Sequence, residues 1–99
     1  MIRGTTPTFE FTLPMLTDEI AAGYITFAQD GSVVIDKALA DCTCAGSTVT
    51  LHLTQEETRK LSQNTRTELQ MRVRTTGGEE LATRVYTVPT ERILKDGVI

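Results

Sequence analysis

Ninety-nine residues can build one hydrophobic core but not two comfortable ones, and an apolar fraction of 39% without tryptophan leaves that core to Val, Ile, Leu, Met and three phenylalanines. A formal charge of −3, with acids and bases spread along the whole chain, provides no basic stripe to track a phosphate backbone. No apolar run approaches the length of a bilayer span, so neither nucleic acid nor membrane is expected as a partner.

Threonine dominates what remains. Eighteen threonines, seven valines and six isoleucines make 31 β-branched positions, stiff at χ1 and suited to a pleated sheet. The opening Met1-Ile2-Arg3-Gly4-Thr5-Thr6-Pro7 lacks the apolar stretch of a secretory signal. Cys42 and Cys44, one residue apart, are no framework for a stapled secreted domain. Synthesis in a reducing cytoplasm is the expectation.

Period-2 alternation recurs along the chain. Thr8 to Leu13 places Phe9, Phe11 and Leu13 on one face, and the bracketing Pro7 and Pro14 put this strand at or near an edge. Asp18 to Ala22 suits a brief helical turn. Tyr24–Gln29 and Val33–Leu39 flank Asp30-Gly31-Ser32, a hairpin signal. A three-residue loop there pairs Phe27 with Ile35 and Ile25 with Lys37, and gathers Ile25, Phe27, Val33, Ile35 and Leu39 on one face. A two-residue loop would mix the faces.

After a loop from Asp41 to Gly46, Ser47 to Leu53 alternates with Val49, Leu51 and Leu53 inward. Thr54-Gln55-Glu56-Glu57 is a capping box that should open one or two helical turns to about Ser62, with Leu61 as the inward anchor. In the last hairpin Leu69, Met71 and Val73 oppose Leu81, Thr83 and Val85. A five-residue loop from Thr75 to Glu79 sets Arg74 against Glu80, whereas a three-residue loop would set Arg72 against Arg84, a repulsive pair. Six strands are signalled, with Arg92-Ile93-Leu94 as the candidate seventh. Short strands with regular turns, no repeat and no linker imply one sandwich or barrel domain over residues 1–99.

Chemistry-bearing residues read as structural. His52, the only histidine, sits mid-strand on the outward face, away from the loops where catalytic groups gather. Cys42 and Cys44 with Asp41 and His52 lack the second ligand pair of a structural zinc site, so one thiol should point inward as filler and the other toward solvent. Glu57 has its capping role, Glu80 a cross-strand partner and Glu79 a loop position. Gly77-Gly78 joins strand to strand and opens no phosphate-binding helix. No catalytic residue, cofactor or metal is expected. A carbohydrate platform would want exposed aromatics, and Tyr86 with Tyr24 as the second candidate are too few for one. What remains is surface: Gln70, Arg72, Arg74, Arg84 and Tyr86 should share the outward face of the last hairpin, and arginine and tyrosine favour interfaces. Ile2, Ile93, Leu94, Val98 and Ile99 are apolar residues near the chain ends that either pair back as edge strands or dock on a neighbour.

Several segments carry a resemblance: Arg3-Gly4-Thr5-Thr6-Pro7-Thr8-Phe9-x-Phe11-x-Leu13-Pro14, Ile25-Thr26-Phe27-Ala28-Gln29-x-Gly31, Leu53-Thr54-Gln55-Glu56-x-Thr58, and the ending Ile93-Leu94-Lys95-Asp96-Gly97-Val98-Ile99. Together they resemble small proteins of about this length from phages and prophages of Gram-positive bacteria. That group is similar in strand rhythm to the N-terminal immunoglobulin-like domain of phage baseplate upper proteins. The resemblance implies an immunoglobulin-like antiparallel sandwich of six or seven strands with one short helix near residues 55–62. It also implies a non-enzymatic tail or baseplate component, made in the cytoplasm and carried into the virion, whose partners are other phage structural proteins or further copies of itself. This chain departs from the baseplate protein in ending where that protein continues into its receptor-binding scaffold. The alternative is a small phage-encoded module that modulates a host protein.

Overall fold

Two sets of alternating apolar residues decide the architecture. Val49 and Leu51 come from one sheet, with Leu53 just past its strand; Ile25, Phe27, Ile35, Leu69, Met71 and Val73 come from the other; all are buried, with Leu61, in one core. The computed structural model describes every residue from Met1 to Ile99. Its strands are β1 (Thr8–Thr12), β2 (Ile20–Gln29), β3 (Ser32–Ala38), β4 (Thr43–Ala45), β5 (Thr48–His52), β6 (Thr65–Thr75), β7 (Glu80–Ala82) and β8 (Tyr86–Thr90), with α1 (Gln55–Arg59) joining β5 to β6. One sheet has the order β1-β5-β4. The other runs β3-β2-β6, with β7 and β8 in succession along the far side of β6. Every strand pair is antiparallel, and the Phe9 and Phe27 rings meet edge to face across the two layers at 5.4 Å.

This is an all-β sandwich of immunoglobulin-like topology. The order β4-β5-β1 matches strands D-E-B of an immunoglobulin domain, and β3-β2-β6-β8 matches C′-C-F-G. Eight strands stand where six or seven were expected. The additions are β4, too short to show alternation, and a last hairpin arm broken into β7 and β8. Arg92-Ile93-Leu94 is not a strand. In its place Met1–Arg3 lies beside the end of β8, through a parallel bridge between Ile2 and Glu91. The turn expected at Asp18–Ala22 is a 3₁₀ turn at Thr17–Glu19, after which the chain enters β2.

Two bulges reset parity. In the first hairpin Phe27 pairs with Ile35 and Ile25 with Lys37, as the three-residue loop required, but the turn itself has two residues. Gln29 pairs with Ser32, and Asp30 and Gly31 take φ of 50° and 78°, the backbone of a primed turn. A bulge at Val33–Val34 supplies the odd residue, so Val33 turns outward, 63% exposed, and Val34 packs on the core instead. In the second hairpin Arg74 pairs with Glu80 and Val73 with Leu81 across the expected five-residue loop, with Gly78 at φ 90°. The register then slips by one between Arg72–Ala82 and Leu69–Tyr86. Val85, expected inward, is therefore exposed, and Val88 and Thr90 face the core.

The capping box is present: Glu57 N donates to Thr54 Oγ1 at 3.1 Å and Thr54 N to Glu57 Oε1 at 2.9 Å. Buried polar side chains then lock the α1 end. Gln29 Nε2 donates to Ser62 O and to Thr67 Oγ1, and Ser62 N donates back to Gln29 Oε1 at 2.7 Å. Thr67 and Thr90 share a hydroxyl hydrogen bond. Thr58 Oγ1 donates to Thr5 O and accepts from Gly4 N, tying the helix to the entry of β1. Arg3 Nε reaches the carbonyls of Arg59 and Leu61 while its guanidinium pairs with Asp96.

Candidate interaction surfaces

The outer face of the larger sheet is the broadest regular surface. Its residues follow from pairing alone: Tyr24 opposes Arg72, Thr26 opposes Gln70, and Ala22 stands beside Arg74. Asp36 flanks Thr26 on one side, and Ala82 and Glu80 flank Arg72 and Arg74 on the other. Alanines at 22, 38 and 82 keep the face low, so Tyr24 stands above it, 52% exposed. A shallow hollow of about 270 Å³ lies among Tyr24, Asp36, Arg72, Arg74 and Glu80. It holds cations and anions side by side with an aromatic ring, and Thr26 Oγ1 donates to Asp36 Oδ1 at 2.8 Å to fix one of the anions.

Gln70, Arg72 and Arg74 are thus together, as the alternation implied. The Gln70 amide is already engaged, however: its Nε2 donates to Thr83 O at 2.9 Å, across to the chain beyond β7. Arg84 and Tyr86 are not on this face. The bulge after Ala82 moves Tyr86 opposite Leu69, on the core side of the sheet at its rim, where the Arg84 guanidinium sits 5.0 Å above the ring. Tyr24 takes the place that Tyr86 was expected to hold. Its even position between Ala22 and Thr26 on β2 was the available signal.

The apolar residues near the chain ends divide. Ile93 is half-buried against Gly4, where a Cβ would lie 3.3 Å from Ile93 Cδ1. Leu94 is 88% exposed, Ile99 90%, and Val98 is exposed as well. Ile99 is nevertheless tethered, since Gln55 bonds both its N–H and its C=O. The Asp96 carboxylate holds this segment to Arg3, with Arg59 Nε 3.7 Å away. Burial pushes the Asp96 carboxyl up, but the Gly97 N–H and the two guanidiniums outweigh it and hold the group below its ordinary value.

His52 lies on the outer face of β5, where its Nδ1 shares a hydrogen bond with Thr8 Oγ1 at 2.7 Å. Cys42 packs against the core with its Sγ 3.6 Å from Ala38 O, and burial pushes its thiol up; Cys44 is exposed. The structure brings no three of the His, Cys, Asp and Glu side chains into a metal-holding group. Comparison with protein-family models, curated proteins and solved structures finds no match. What these surfaces can hold follows from their own chemistry: tyrosine and arginine over a flat apolar floor suit another protein.

Proposed function

We propose that the protein is a non-enzymatic structural or assembly component of a phage tail or baseplate, working through protein–protein contacts on the outer face of its larger sheet. The observation that supports this most is Tyr24 beside Arg72 among alanines, an exposed aromatic and a guanidinium with Asp36, Arg74 and Glu80 around them. Both side chains are of the types that dominate interface energetics, and neither is needed to hold the sheet together. The likeness of the Arg3–Pro14 and Ile93–Ile99 segments to small phage and prophage proteins supports the tail or baseplate setting. Partners are other phage structural proteins or further copies of the chain, met in the cytoplasm and retained in the virion.

The test is binding of the wild type, Tyr24→Ala and Arg72→Ala to purified tail and baseplate proteins, with a host lysate as the parallel arm. A hot-spot truncation should weaken the complex about 30-fold, the equivalent of about 2 kcal/mol, with unfolding midpoints unchanged. A single host protein captured in place of tail proteins, and lost with the same two variants, would replace this reading with that of a host-directed module. Binding indifferent to both substitutions would refute the face.

A further inference from the structure

The two sheets do not close along the side where β1 faces β7 and β8. β1 is an edge strand: Leu53 N donates to Pro7 O at 3.1 Å and Leu13 N to Ser47 O at 2.8 Å, so its odd-numbered residues bond to β5. In an antiparallel ladder the intervening residues turn their amides the other way. The N–H and C=O groups of Thr8, Glu10 and Thr12 therefore face out of the sheet. Beneath that edge Phe9 and Phe11 are only half-buried, and they share a groove of about 330 Å³ with Tyr86 and Val88 on the opposite lip. The groove continues past Leu13 and Thr83 into a second hollow of about 250 Å³ between Met15 and Leu81. A row of unpaired donors and acceptors runs along an apolar channel.

One end of this flank is already covered, and an extended segment covers it. Met1 N donates to Pro89 O at 2.9 Å, Glu91 N to Met1 O at 2.8 Å and Arg3 N to Glu91 O at 3.1 Å. The chain then crosses through Gly4–Pro7 to β1 and leaves the rest of the flank open. In the immunoglobulin arrangement this open position, beside the B edge, belongs to strand A. Charge narrows what can fill it. Glu10 is the only charged side chain on β1, at its centre. Two copies of β1 paired about that centre would set Glu10 against Glu10, and like charges directly opposite destabilise a strand pair. A strand with a cation at that position gains instead.

We propose that the open flank is a strand-acceptor site that takes an extended segment of a partner chain, paired with β1 along Thr8, Glu10 and Thr12. Main-chain hydrogen bonds to the edge supply affinity, and the channel selects alternate apolar side chains that lie over Phe9, Phe11 and Tyr86. Lys or Arg on the strand's solvent side meets Glu10. Pro7 and Pro14 end the edge, so the paired stretch is short, about five residues. This site is separate from the Tyr24–Arg72 face and does not depend on it.

The test adds to the full chain a nine-residue peptide that alternates valine with threonine and carries one central lysine. Amide exchange at Thr8, Glu10 and Thr12 should slow on binding, and exchanging the central lysine for glutamate should weaken binding about fivefold or more. Glu10→Lys, an exposed change, should reverse that preference, and Tyr24→Ala should leave it untouched. Binding without protection of those three amides, equal affinity for both peptides, or self-association through β1 that the peptide does not compete away would each overturn the proposal.

Discussion

The α1 end of the molecule and its β1–β8 flank draw on the same threonine-rich, modestly apolar sequence and reach opposite conditions. At the α1 end Gln29, Thr58, Thr67 and Thr90 are buried, and each finds partners that knit helix, loop and strand together. Along the flank Phe9, Phe11 and Leu13 face a groove, and no hydrogen bond joins β1 to β7 or β8. A small sandwich without tryptophan closes where side-chain hydroxyls and one amide satisfy each other, and stays open where only half-covered apolar residues meet. The closed end carries stability; the open flank is left for recognition.

That contrast is easiest to break with truncations. Leu61→Ala removes the anchor of the closed end, a side chain with almost no exposure, and should cost about 2–5 kcal/mol in urea unfolding. Phe11→Ala on the flank removes a larger but half-exposed ring and should cost roughly 1–1.5 kcal/mol. Equal or reversed costs would mean that the flank is packed as core. Gln29→Leu keeps the volume at the closed end but strands the Ser62 amide and carbonyl and leaves the Thr67 hydroxyl with Thr90 as its one remaining partner. A loss of about 1–3 kcal/mol is expected, with faster amide exchange at Ser62 as the local signature. Thr54→Ala removes the hydroxyl half of the capping box and should lower the urea midpoint by the equivalent of about 1 kcal/mol with the slope unchanged.

The closed end was also the more legible in the sequence. Thr54-Gln55-Glu56-Glu57 names its own hydrogen bonds, because a capping box is local chemistry at fixed spacing. The pairing of Arg74 with Glu80 was legible for a similar reason: the alternative register opposed two arginines. Side-chain parity failed where a strand holds an extra residue. Nothing in Leu81-Ala82-Thr83-Arg84-Val85 distinguishes the bulge: Thr83 Oγ1 accepts from Met71 N at 3.1 Å beside it, and no spacing marks this threonine out from the other seventeen. That single slip carried Arg84 and Tyr86 off the outer face and onto the rim of the groove. Gln70, Arg72 and Arg74 lie before it and kept their places, so the arginines of the candidate face were readable, whereas the tyrosine assigned to it, Tyr86, was displaced and Tyr24 stands there instead.

The smallest effect comes from the one ion pair with both side chains mostly covered. Lys37 Nζ on β3 donates to Glu57 Oε2 on α1 at 2.7 Å, so the pair clamps the larger sheet to the closed end. The hydrogen bond to Glu57 raises the Lys37 ammonium above its ordinary 10.5 against an opposing burial cost. Burial pushes the Glu57 carboxyl up, but Lys37 and Thr54 together outweigh it and hold the group below 4.5. A lowered carboxyl stabilises the fold above its unfolded value, and that contribution disappears as pH falls through the folded one. A raised ammonium contributes fully below 10.5 and is lost as pH climbs beyond the folded value. The clamp should therefore hold a plateau between these limits, falling off below about pH 4.5 and above about pH 10.5, with a height of about 1 kcal/mol or less, as for other partly solvated pairs. Lys37→Met should flatten the part of the acid limb that Glu57 owes to the pair and leave the part owed to its bond with Thr54 N. If urea midpoints measured from pH 3 to 7 fall in parallel for wild type and variant, the sheet and the helix are held by the buried Gln29 and Thr58 bonds alone, and the ion pair only decorates a junction already made.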